Sequence, residues 1–153
     1  MGEGGPGPHA RAGLSLGELV TAALAEDLGA LGDVTSAMIV PPERFARAEI
    51  APRSAGVLAG RSAAAEVIAR FPALEVEWQA DDGDALIPGR AIGTITGPAR
   101  DLLTAERTVL NFLTRLSGIA SLTRRYVDAC APAEVLDTRK TTPVWRALEK
   151  AAV

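Results

Sequence analysis

The sequence predicts a mixed α/β fold, and three observations carry that prediction. Apolar residues recur at helical spacing in three separate stretches, the longest running from Ala99 to about Ala129. Between residues 45 and 97, short alternating runs are punctuated by glycine and proline, the mark of strands joined by tight turns. Residues 134–153 pass from an apolar run into a proline-opened helix, which is how an α/β unit begins.

The first helix is read from "LSLGELVTAALAEDLGALGD", where Leu16, Leu19, Val20, Ala23 and Leu24 share one face. Ser15 is its candidate N-cap and Gly29 its stop. "GDVTS" reads as a turn, and the two prolines of "MIVPPE" are expected to block a helix there. "FARAEIAPRSAGVLAG" predicts two short strands, about 45–51 and 56–59, and "RSAAAEVIARF" a helix that ends at Phe71-Pro72. "ALEVEWQA" alternates through Leu74, Val76 and Trp78, a strand with one face buried.

"DDGDALIPGRAIGTITG" then predicts short strands stitched by Gly83, Pro88, Gly89, Gly93 and Gly97. The helix over 99–129 is expected to break near Ser117-Gly118. "AEVLDTRK" reads as a strand, and "TPVWRALEKAAV" as a helix with Thr142 at the N-cap and Pro143 in its first position. Residues 1–13, rich in glycine and proline, read as a disordered tail.

Composition narrows the function. Apolar residues make up 48% of the 153, enough for a core. No apolar run approaches the ~18 residues of a membrane span, and no signal-peptide pattern opens the chain. A net charge of −3 argues against a nucleic-acid partner. Cys130 is alone, so a reducing, cytoplasmic setting is expected. With one histidine (His9) and one cysteine, the chain cannot assemble a usual zinc site or a Cys-His or Ser-His nucleophilic pair. Of 16 basic residues only Lys140 and Lys150 are lysine.

Candidate chemistry lies in two places. With the 99–129 helix projected at about 100° per residue and Leu102 at the origin, Val109, Leu110, Leu113, Leu116 and Ala120 form an apolar stripe within about 80°. Glu106 falls inside the stripe at about 40° and is expected to be a structural carboxylate paired with an arginine; Arg107, at about 140°, borders it. The second place is "EVLDTRKTTP", where Asp137, Thr138, Arg139 and Lys140 follow an apolar run and precede a helix start. Arginine offers a planar fork and lysine a movable point charge, and a helix N-terminus also favours anions, so the site class is an anion site. The plain alternative is a surface turn in which Asp137 pairs with Arg139. The Gly-punctuated hairpins also resemble the half-barrels of biotin and lipoate carriers, but residues 1–139 contain no lysine for attachment.

Taken together, "ERTVLNFLTRLSGIAS" and "LDTRKTTP-WR-LEKAAV" resemble the quinolinate phosphoribosyltransferases (nicotinate-nucleotide pyrophosphorylases, carboxylating). "AEDLGALGDVTS", "ARAEIAPRSAGVLAGRSAA" and "DDGDALIPGRAIGTITGPARDLLTAER" are similar to that family in the same order, so the likeness runs over about 14–153. It implies an α+β sandwich with a half-barrel of hairpins (14–115), then a connecting helix and the first strand and helix of an incomplete α/β barrel (116–153). The implied reaction joins quinolinate to 5-phosphoribosyl 1-pyrophosphate, with Mg²⁺ on the pyrophosphate, and yields nicotinate mononucleotide, pyrophosphate and CO₂ for NAD synthesis. Members are homodimers with shared active sites.

By position, Arg107 matches the arginine that reaches quinolinate across the dimer, Arg139 the quinolinate-binding arginine, and Lys140 the candidate catalytic lysine near the phosphoribosyl donor. Thr138 lies in the same binding segment; Arg146 and Lys150 are expected to be supporting residues. "PVWR" stands where the family commonly has "PGLR". The family's glycine-rich stretch with a His-Arg pair would come after Val153, so this chain is expected to be an incomplete, inactive part of the enzyme. Two alternatives remain open: a phosphoribosyltransferase for nicotinate or another acidic ring, and a non-catalytic dimerising or anion-binding fragment.

Overall fold

Ser15 and Glu18 start the first helix together. In the computed structural model, which describes residues 14–153, helix α1 (Leu16–Leu28) opens on a reciprocal capping box. The Glu18 amide donates to Ser15 Oγ at 3.3 Å, and the Ser15 amide donates to the Glu18 carboxylate at 2.7 Å. Gly29, at φ 55°, ends the helix as expected. The disordered tail predicted for 1–13 lies outside the described residues.

"GDVTS" is more than a turn. Asp33 caps a short helix, α2 (Val34–Ile39), by accepting from the Ser36 amide at 2.9 Å. Pro41 and Pro42 fall just after its C-cap, Val40, so they terminate a helix instead of preventing one.

Strands form at β1 (Phe45–Ile50), β2 (Gly56–Val57), β3 (Glu75–Trp78), β4 (Ala85–Leu86) and β5 (Gly93–Pro98), with helix α3 (Arg61–Ile68) between β2 and β3. They make two antiparallel sheets, β1-β5-β3 and β2-β4. β5 is central, with Ile95 opposite Ala48 on one side and Val76 on the other. The glycine-punctuated segment therefore does not pair with itself. Its two strands, β4 and β5, go to different sheets.

Helix α4 (Ala99–Cys130) is one unbroken helix of 32 residues, so the break expected near Ser117-Gly118 does not occur. A single glycine in a helix costs only about 1 kcal/mol, which flanking packing readily offsets. Ser117 spends its hydroxyl outside the helix: it accepts from the Ala59 amide at 3.0 Å and donates to the Ala59 carbonyl at 3.2 Å. Ser121 likewise accepts from the Val57 amide at 2.8 Å. These bonds satisfy backbone groups of the β2–α3 segment that no strand reaches.

The core forms where α3 crosses α4. Val20, Leu58, Ala63, Ala64, Val67, Val109, Phe112 and Leu116 are buried there. Gly60 sits at the crossing with φ 95°, and a Cβ on it would lie 2.7 Å from Leu116 Cδ1. The position therefore requires glycine for conformation and for space. The buried residues of α4 spread from Thr108, at about −120° on the projection above, to Ala99 and Ser117 at about 60°, so the face is centred at about −30°. That face is centred away from Glu106, which is exposed, as is Leu110. Glu106 is not the buried carboxylate the stripe suggested.

Residues 134–138 form no strand, because no neighbouring segment among the described residues supplies a ladder. The last helix, α5 (Arg146–Ala151), begins at Arg146 and not at Thr142-Pro143. Val144 lies at φ 63°, a conformation a β-branched residue adopts only under constraint, and it interrupts the helical path.

Candidate active site

The segment Asp137–Trp145 is held against α4 from beneath. Phe112, buried on α4, stacks on Trp145 with ring centroids 5.0 Å apart and planes at 20°. One turn further along α4, Arg115 donates through Nη2 to Glu149 Oε1 at 2.7 Å and to Thr142 Oγ1 at 3.1 Å. Glu149, although charged, is buried. It is satisfied by Arg115 and also by the Thr142 hydroxyl at 2.7 Å and the Thr142 amide at 3.0 Å. Arg115 first, then Thr142, hold the Glu149 carboxyl below the usual glutamate range against the opposing effect of burial. Thr142, expected to cap the last helix, instead commits both its hydroxyl and its amide to Glu149.

This lock is acid-sensitive in a predictable direction. The folded chain keeps Glu149 ionised at lower pH than the unfolded chain does, so its contribution is full above about pH 4.3, the ordinary glutamate value, and is lost as pH falls through the depressed value. Glu149→Gln is expected to cost about 1.5 kcal/mol near neutrality, the low end for a charged hydrogen bond because Arg115 is half exposed. Thermal melts of both proteins from pH 7 to pH 3 should show the difference shrinking towards acid. A constant or widening gap would contradict the assignment.

Above the lock stand the sequence-predicted residues Thr138, Arg139 and Lys140, all exposed. The Lys140 amide donates to Thr138 Oγ1 at 3.2 Å, which tightens the turn between them. Asp137 does not pair with Arg139. It forms an ion pair with Lys150, so Arg139 and Lys140 have no carboxylate partner among the described residues. Arg146 donates to Thr141 Oγ1 at 3.3 Å. The two supporting residues thus brace the segment from α5.

Arg107 lies elsewhere, on the outer side of α4. It donates through Nη1 to Asp27 Oδ1 of α1 at 2.6 Å. Its side chain is 72% exposed while that of Asp27 is only 20% exposed. Asp27, with smaller contributions from Asp33 and Glu106, holds the guanidinium above the ordinary arginine value. Among the described residues, Arg107 shares no hydrogen-bond partner with Thr138, Arg139 or Lys140. Thr138, Arg139 and Lys140 are thus consecutive residues of one loop, whereas Arg107 is carried by α4 and bonded to α1.

Sequence reasoning missed Asp27, Arg115, Thr142 and Glu149 as partners. The Arg115–Glu149 pair spans 34 positions and the Arg107–Asp27 pair spans 80, and neither separation has a periodic signature. Among the described residues no three His, Cys, Asp or Glu side chains could hold a metal ion together. These residues do not make a Mg²⁺ site by themselves; what they offer is cations for anions.

Comparison with known proteins gives this arrangement a context. Residues 33–117 match the family model described as the quinolinate phosphoribosyl transferase N-terminal domain. The chain is 42% identical over 147 residues to the mitochondrial quinolinate phosphoribosyltransferase [decarboxylating] 2b of Nicotiana tabacum, covering 95% of this chain and 42% of that protein. It is 39% identical over 141 residues to the nicotinate-nucleotide pyrophosphorylase [carboxylating] of Mycobacterium leprae, covering 89% of this chain and 50% of that one. The solved nicotinate-nucleotide pyrophosphorylase of Francisella tularensis superposes with a TM-score of 0.84 at 34% identity, over 90% of this chain and 49% of the other. The chain thus spans about half the length of the relatives it matches. The family model covers more than half of the chain, and the chain belongs to the quinolinate phosphoribosyltransferase family.

Proposed function

We propose that the chain contributes to an enzyme that transfers the phosphoribosyl group of 5-phosphoribosyl 1-pyrophosphate to quinolinate, with release of pyrophosphate and CO₂. The observation that carries this reading is the state of Arg139 and Lys140. Both are exposed and without carboxylate partners among the described residues, while Asp137, the nearest acid in sequence, is occupied by Lys150. Two adjacent unpaired cations on a braced loop repel each other, an arrangement that an anionic ligand relieves.

The substrates supply those anions. Quinolinate carries two carboxylates and the donor a phosphate and a pyrophosphate. The Arg139 fork is suited to orient a carboxylate, and the Lys140 ammonium to follow the charge that develops as pyrophosphate leaves. The pyridine nitrogen is the nucleophile, so no side-chain nucleophile is required. Any Mg²⁺ that the reaction uses would arrive on the donor's pyrophosphate oxygens and neutralise their charge.

Arg107 completes the reading if two copies associate and each lends its Arg107 to the other's site. The exposed apolar side chains of Leu31, Val34, Met38 and Ile39 on and beside α2 support such a homodimer, since a cluster of this kind is costly to leave in water. A cytoplasmic address belongs to the same proposal. Among the described residues no helix is long and apolar enough to cross a membrane.

The test uses protein that carries these residues at the family's full length, here termed the full-length protein. Arg139→Ala is expected to weaken quinolinate binding by about 1.5–3 kcal/mol, roughly ten- to hundredfold, as for a lost charged hydrogen bond. Arg139→Lys should restore only part of it, since an ammonium lacks the fork. Lys140→Ala should instead lower turnover more than quinolinate affinity. Product formation is followed by chromatography with quinolinate and, separately, nicotinate as acceptor. Wild-type turnover with nicotinate alone would refute the quinolinate assignment.

A further inference from the structure

Asp27 stands where electrostatics disfavours it. It lies in the last turn of α1, at the negative end of the helix dipole, and that turn contains no basic residue. Its carboxylate is mostly covered, and it reaches across to α4 for its counter-ion, Arg107, at 2.6 Å. Arg107 makes this single contact from a 72% exposed side chain, without the additional hydroxyl and amide bonds that Thr142 gives Glu149, so solvent screening leaves the pair a modest contribution to stability. α4 anchors the neighbouring helix α2 by other means. Arg100 donates to the carbonyls of Val40 at 2.7 Å and Ala37 at 2.9 Å, and the Thr104 hydroxyl is shared between the Arg100 carbonyl at 2.8 Å and Asp33 at 3.2 Å.

The geometry of the pair suggests what it does. Only Nη1 of Arg107 is engaged; its other N–H donors have no partner among the described residues, and the side chain is 72% exposed. A guanidinium presents five donors in a fixed fork. Asp27 therefore grips one prong from a sheltered position and leaves the remainder directed outward. A long side chain held this way loses less rotamer freedom when it meets a ligand. Asp33, whose Oδ1 accepts from the Ser36 amide as the α2 cap, acts on Arg107 only as a more distant charge, while Asp27 holds it by a hydrogen bond.

We propose that Asp27 is a positioning residue: it fixes the Arg107 guanidinium so that the free prong is ready for the carboxylate of an aromatic dicarboxylic acid bound in the neighbouring protomer. This rests on the proposed role of Arg107 as a substrate arginine. Asp27 touches no substrate itself, and its effect passes through Arg107 alone.

Steady-state kinetics of the full-length protein test this with Asp27→Ala and the near-isosteric Asp27→Asn, whose amide oxygen still accepts from Arg107. Asp27→Ala should raise the KM for quinolinate about three- to tenfold, the effect of freeing one rotamer-rich side chain. The kcat and the KM for 5-phosphoribosyl 1-pyrophosphate should change less than about twofold, and Asp27→Asn should fall between Asp27→Ala and wild type. In an Arg107→Ala background the Asp27 substitution should have no further effect, the signature of a coupled pair. A lowered quinolinate KM in Asp27→Ala would mean that Asp27 competes with substrate, and would overturn the inference. An unchanged KM, or an equal rise for both substrates, would overturn it as well. Arg107→Ala alone separates the two levels. If it leaves the quinolinate KM unchanged, the substrate role of Arg107 fails; if it raises the KM while Asp27→Ala does not, only the positioning role fails.

Discussion

Replacing Phe112 with alanine is expected to cost about 3–5 kcal/mol of stability, the range for emptying a fully buried aromatic site. Phe112 is 1% exposed, and two structures depend on it. Its side chain belongs to the core cluster at the crossing of α3 and α4, with Val67, Val109 and Leu116. Its ring is the platform on which Trp145 stacks. The alanine variant leaves a void at the crossing and removes the floor beneath Thr138–Trp145 in one step. For a domain of this size the melting temperature should fall by about 6–20 °C. Trp145 fluorescence should shift to the red before global unfolding, because the segment loosens first. A melting point within about 2 °C of wild type would show that neighbouring side chains refill the site.

The second large effect is a gain. At quinolinate concentrations well below the KM of Arg107→Ala, that variant and Lys140→Ala are each expected to keep only a small fraction of wild-type activity in the full-length protein. If Arg107 serves the neighbouring subunit's site, a mixed dimer of the two variants has one site with both defects and one with neither. Random exchange makes half of the dimers mixed, so about a quarter of wild-type activity should return on mixing. Subunit exchange is verified independently by native mass spectrometry of differently tagged chains. Exchange without recovery would place Arg107 in its own protomer's site or in none.

Much of the fold was legible because its signals are local. The Ser15 cap, the Gly29 stop, the alternation through Val76 and Trp78 and the apolar period of α4 each follow from residues within a few positions. Apart from α2, whose Asp33 cap reaches only to Ser36, the failures come from partners outside the local stretch. Ser117-Gly118 reads as a break until Ser117 is seen bonding Ala59. Thr142 reads as a helix cap until Glu149 claims its hydroxyl. Residues 134–138 have a strand's composition, but a strand exists only through its neighbours. At the candidate site, charge type was readable in "DTRK"; which charges stay free was not. That depended on Lys150 taking Asp137, thirteen residues away across a turn.

The uninterrupted α4 makes length itself a heritable constraint on this protein. Arg107 and Arg115 ride on the same rigid shaft, one gripping α1 and the other gripping α5. Inserting or deleting a single residue between them would turn one about 100° relative to the other, and no loop lies between them to absorb the twist. Substitutions in that stretch can be graded, whereas a change in length is close to all-or-none. Relatives of this chain should therefore differ in length at turns such as 81–84 and 87–91, and keep an identical count of residues from Arg107 to Arg115 even where the residues themselves have changed.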